Sequence, residues 1–146
     1  MSFFSKNNPD ITTHVADTWL LANGLHLIIL LIIFWQPFDL SHIWIMLLVA
    51  MIILAASLPC LMLAYFSLNI IARGLLPKRT LFLVWLIVCP CIVLSEGMLG
   101  FMLLKDATAF TLSACVPGMF AALFAVLIRY RQFGQLIDHY KKHAAV

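Results

Sequence analysis

Glu96 has the most conspicuous chemistry in this sequence, because it stands inside a long apolar stretch running from Leu81 to Leu104. A charged side chain at the centre of a bilayer costs about 2.5–3.5 kcal/mol on insertion scales. An acid kept there is expected to be a proton or cation site, a polar lock onto a partner helix, or a protonated acid hydrogen-bonded between helices. On a helix it shares a face with Cys89, Ile92, Val93, Gly100 and Leu103, and Gly97 and Gly100 leave room for a second helix to approach. His26 lies near the middle of another apolar stretch, with Asn23 one turn before it. That pair can hydrogen-bond across helices, relay protons or ligate a metal. At about 1.5 Å per residue, His26 sits roughly 15 Å and Glu96 roughly 22 Å from the end where the basic residues collect, one to two turns apart in depth. His14 and His42 fall near opposite ends, so one chain offers no pair of mid-depth histidines for a haem.

All four cysteines lie in apolar stretches: Cys60 after Pro59, Cys89 and Cys91 around Pro90, and Cys115 two residues before Pro117. The same arithmetic puts them roughly 12–20 Å from the basic end. Cys89-Pro90-Cys91 resembles the intramembrane metal motif of soft-metal pumping ATPases. The resemblance covers those three residues, and the other features of the pumps are absent. It implies thiolates suited to Cu(I) beside a helix opened by proline. The alternative is that cysteine packs as a small hydrophobe, and this is the expected role. No cofactor is expected, with copper as the exception the motif allows. No nucleophile–base pair, phosphate loop or paired carboxylate is present, so no enzyme activity is expected.

These residues must be positioned by membrane helices. Of 146 residues 64% are hydrophobic and 10% charged, with mean hydropathy +1.07. A soluble domain is about half apolar and a quarter charged, and one of this size cannot hide such an excess. A soluble globular enzyme, a disordered chain and a nucleic-acid binder are excluded, and the net charge of +3 finds another explanation below. A spanning helix needs about 20 mostly apolar residues. Four stretches qualify, at about 15–35, 43–70, 81–104 and 108–128, in a single transmembrane domain covering 1–146. The first ten residues lack the pattern of a cleavable signal, so the first stretch is expected to remain in the protein.

Lys6, the loop residues Arg73, Lys78 and Arg79, and the tail residues Arg129, Arg131, Lys141 and Lys142 fall on one side, eight of the nine basic residues. The positive-inside rule places both termini in the cytoplasm, most simply of a bacterial inner membrane. Short loops make consecutive spans antiparallel, so the expected fold is all-α: an up-down-up-down four-transmembrane-helix bundle. Asp10 or Thr12 can cap the first helix and Thr80 the third. Trp19, Trp35, Trp44 and Tyr130 are expected at headgroup level, and Trp85 either there or in the packing.

Beyond Ile128, the residues Phe133, Leu136, Ile137 and Tyr140 recur at helical spacing beside a basic face. This predicts an amphipathic C-terminal extension on the anionic leaflet, with Arg129, Arg131, Lys141 and Lys142 at the membrane surface, or docked to a cytoplasmic partner. The expected partners are lipid and either another membrane protein or a second copy, with no nucleic acid. The expected function is a non-enzymatic accessory or interaction subunit of a membrane complex. The alternative is a homo-oligomeric channel or transporter for protons, cations or a soft metal, using Glu96, His26 and Cys89-Pro90-Cys91.

Overall fold

The computed structural model describes residues 10–33, 40–103 and 108–144, which form six α-helices with no strand among the described residues. They are α1 (Ile11–Ile33), α2 (Leu40–Ala56), α3 (Leu58–Ala72), α4 (Lys78–Leu103), α5 (Thr108–Ile128) and α6 (Tyr130–Ala144). Two helices, α1 and α4, are long and apolar enough to cross a membrane, and α2 with α3 supplies a third if the bent pair is one span. Of α5, the fully described part Cys115–Ile128 is apolar but shorter than a span. Lys6, Trp35 and Lys105 lie outside the described residues.

The stretch expected as one long helix over 43–70 is two helices, bent by 41° at Ser57. The cause is Pro59, which stands in the first turn of α3. It has no N–H to give the carbonyl of Ala55, and its ring crowds that carbonyl. Ser57 N–H still reaches Ile53 O at 2.9 Å, and Leu61 N–H reaches Ser57 O at 3.2 Å, so the break is confined to the residues between. Pro90 and Pro117 stay inside unbroken helices. Capping differs from expectation in one place. Helix α4 already begins at Lys78, which puts Thr80 inside its first turn rather than at the cap. Asp10 immediately precedes α1, and its carbonyl accepts the His14 N–H at 3.0 Å.

Helices α1, α5, α4 and α3 pack in a closed ring in that order. The residues of α5 explain why it mediates between α1 and α4. Gly118, Ala121, Ala122 and Ala125 follow one another at helical spacing and are all buried, which lets both neighbours come close. A Cβ on Gly118 would lie 3.3 Å from Val93 of α4 and 3.4 Å from the His26 ring of α1. Among the described residues, helix α2 touches only α1 and α3. Of its described large side chains, Trp44, Leu48, Met51 and Ile52 are exposed, Trp44 at 76%, while Ile53 and Leu54 near the break are half-buried.

The core gathers at one end of the ring. There Ile11 and Val15 of α1, Leu68 and Ile71 of α3, and Leu81, Phe82 and Trp85 of α4 surround Phe133, Leu136 and Ile137 of α6. The amphipathic extension therefore exists, but its apolar face is covered by the protein's own helices and is not free for lipid. Arg129 joins α5 to α6 without breaking the hydrogen-bond run: its N–H bonds Ala125 O, and its carbonyl accepts Phe133 N–H. Phe82 packs edge-on against both Tyr130 and Phe133, with ring centres 4.6 and 5.5 Å away. Lys78 pairs with Asp138, and Lys141 Nζ donates to Leu76 O at 2.8 Å, tying α6 to the loop between α3 and α4.

Candidate functional site

Glu96 faces α3, where the Cys60 thiol donates to its Oε2 and also lies 3.8 Å from Ile92 O. Pro59 positions this thiol, because the new helix it starts brings Cys60 to the ring interior in its first turn. The second carboxyl oxygen, Oε1, is buried and has no hydrogen-bond partner among the described residues. Next along α4, Gly97 receives the Cys115 side chain of α5 so closely that any Cβ there would overlap the sulfur. Gly97 thus stands where α5 comes close to α4. The surroundings of Gly100 lie outside the described side chains. Glu96, Cys60 and Cys115 thus mark a polar and sulfur-rich junction of α3, α4 and α5 inside an otherwise apolar ring. Gly97→Ala is expected to cost about 1–3 kcal/mol, the usual range for overpacking, because the contact is one of closely set helices. Cys115→Ala should recover most of the loss when combined with it, as read by thermal unfolding in detergent.

The remaining cysteines do not converge. Cys89 is buried and Cys91 exposed, because residues two apart fall on different sides of α4 even with Pro90 between them. All four thiols are free. Among the described residues no three His, Cys, Asp or Glu side chains come together to hold a metal ion. Instead, Cys60 and Cys89 line an apolar cavity of about 60 Å³ with Trp19 and Trp85, between α1, α3, α4 and α5. Trp85 belongs to the packing, and its buried indole N–H has no acceptor among the described residues.

Asn23 is a lock between helices. Its Nδ2 donates to Trp19 O at 2.9 Å, and its Oδ1 lies 3.2 Å from the Ser57 hydroxyl at the α2–α3 break. Trp19 Nε1 donates to the carbonyl and hydroxyl oxygens of the same serine, each at 3.1 Å. Trp19, expected at headgroup level, is thus spent on the break in the second apolar stretch. The Ser57 carbonyl already accepts Leu61 N–H, so the indole is a second donor to it and ties α1 to the break. His26 stands at the meeting of α1 with Gly118 of α5.

At the α6 end, the sequence reading missed a second polar cluster. Arg129, expected at the membrane surface, is turned inward and pairs with Asp17 of α1 at 3.0 Å. Its side chain is 8% exposed and that of Asp17 30%. His14, one turn before Asp17, is buried beside Phe133, and its carbonyl accepts the Thr18 hydroxyl at 2.6 Å. Depth alone carried the signal for this pair: Asp17 is near the start of the first apolar stretch and Arg129 directly follows the last, both at the basic end. Arg131, Lys141 and Lys142 are exposed as expected. Further along α6, burial pushes the Tyr140 phenol up, with nearby Asp10 adding to the effect, so it stays protonated at neutral pH.

Comparison with protein-family models, curated proteins and solved structures finds no match to this chain. The class defined by fold and composition is an all-helical protein with two or three candidate membrane spans.

Proposed function

We propose that this protein is a non-enzymatic accessory subunit of a membrane complex, held to its partner by helix packing within the bilayer. In this reading it is a four-span protein of a bacterial inner membrane with both termini in the cytoplasm. The gathering of Arg73, Lys78, Arg79, Arg131, Lys141 and Lys142 around α6 and the neighbouring loop supports that orientation. The observation that carries the function is the state of α2. The other three apolar helices and α3 close on one another, whereas α2 stands beside the ring with Trp44, Leu48, Met51 and Ile52 outward. Helices in lipid gain little from apolar character alone and associate through shape. An apolar half of a bent span, left out of its own ring, is a surface for a partner's helix.

Native mass spectrometry of the tagged protein, purified from its host in mild detergent, tests this. A second chain in fixed ratio is expected, and Met51→Ala with Ile52→Ala should weaken its retention while thermal unfolding of this chain stays unchanged. A homo-oligomer alone would overturn the reading.

The unpartnered oxygen of Glu96 favours a second reading, a homo-oligomeric channel or transporter for protons, cations or a soft metal. Glu96→Gln separates the two, because glutamine keeps an oxygen to accept from Cys60 and should leave the fold intact. The accessory role predicts no proton or cation flux above empty liposomes for either form. Flux in the parent protein that Glu96→Gln abolishes would establish the transport reading, and turnover of a lipid or quinone would overturn the non-enzymatic one.

A further inference from the structure

The loop between α3 and α4 presents its apolar residues outward. Leu75 is 99% exposed and Leu76 50%, although both sit in a segment held on two sides. Lys141 donates to Leu76 O, and Gly74 N–H bonds Ile71 O at 3.0 Å. Gly74 is close against Leu81 as well, where a Cβ would lie 3.2 Å from that side chain. The loop is therefore pinned from inside, and its leucines point away from the protein. Flanking them, Arg73 and Arg79 are exposed and form no ion pair among the described residues. Two further apolar residues are exposed on the adjoining helices, Ile70 at the end of α3 and Leu83 near the start of α4.

We infer that this loop is a binding site for an anionic phospholipid of the leaflet on the α6 side, with Arg73 and Arg79 on the phosphate and Leu75 and Leu76 against the acyl chains. The inference rests on the reading that α3 and α4 cross a membrane. Two observations select this occupant. Unpaired guanidinium groups suit a phosphate, which they hold by several N–H donors at once. Exposed leucines between them suit hydrocarbon, and an acidic protein surface or a nucleic acid would leave them in water. The outward stripe of α6, carrying Arg131 and Lys142 with Asp138, has cations but no such leucine pair.

The test is native mass spectrometry of the full chain in detergent with equal amounts of phosphatidylglycerol and phosphatidylcholine. The parent protein is expected to retain phosphatidylglycerol preferentially. Arg73→Gln with Arg79→Gln should lower that preference on the order of tenfold, from the contribution of two cations near an anionic surface. Arg131→Gln with Lys142→Gln removes the same charge from the α6 stripe and should leave the preference in place. Leu75→Ser should weaken retention of both lipids, and free glycerol phosphate should not displace the bound lipid. Equal retention of the two lipids by the parent would overturn the inference. So would an equal loss in the α6 variant, or displacement by glycerol phosphate. These side chains are exposed, and thermal unfolding of each variant checks that the fold is retained. Only this chain and two lipids are present, so the outcome is independent of whether a partner subunit exists.

Discussion

Asp17→Asn is expected to destabilise the protein by about 3 kcal/mol, the lower part of the range for breaking a buried ion pair. The mechanism is the isolation of Arg129. Its guanidinium is almost fully enclosed, and its Nε already has no hydrogen-bond partner among the described residues. Without Asp17 the charge has neither water nor an anion. Arg129→Gln should cost less, because the Asp17 carboxylate left behind is part-exposed and can be hydrated. The double variant should cost less than the sum of the two, since neither residue then leaves a charge behind. Thermal unfolding of the purified protein in detergent measures all three. Equal small losses in each, under about 0.5 kcal/mol, would mean that the pair behaves as a surface salt bridge.

The second large effect is expected at Phe133. It is 1% exposed and packs against Phe82 and the His14 ring, so it joins α6 to both α4 and α1. Phe133→Ala should cost about 3–5 kcal/mol, the range for emptying a buried aromatic site. The loss should be local, because α6 is held mainly by its own apolar face. Its 15 residues are too few for a helix to persist in water without packing. Undocking should therefore show as rapid hydrogen exchange over 130–144 and fast tryptic cleavage at Arg131, Lys141 and Lys142. Protection in α1 and α4 should persist through most of their length. Unchanged exchange in α6 would mean that the apolar face is held by something other than Phe133. The same experiment reports on the tie between α6 and the loop, since the bond from Lys141 to Leu76 O should be lost with it.

Much of the helix framework was legible because lipid-facing segments leave a coarse, redundant signal. The fourth apolar stretch, expected over 108–128, is α5 over those residues, and the first and third differ from α1 and α4 by a few residues at their ends. The break at Ser57 was less legible. Pro59, Pro90 and Pro117 are equivalent as residues, yet only the first divides a helix. A proline costs a hydrogen bond wherever it stands, and neighbouring groups decide whether the helix bends. At Ser57 the Trp19 indole and Asn23 amide accommodate the broken segment, and neither is near in sequence.

Composition and hydropathy, taken alone, determined that the chain is helical and suited to a membrane. These properties sum over many residues and tolerate error at each. What only the tertiary structure decided were pairings between distant residues: Cys60 with Glu96, Cys115 over Gly97, Trp19 with Ser57, and Asp17 with Arg129. Each depends on the rotation of one helix against another. A turn of 100° per residue makes that rotation unreadable from span limits uncertain by a few residues. The fate of α6 has the same cause. An amphipathic helix seeks any apolar surface, and whether lipid or protein supplies it depends on the helices that stand beside it.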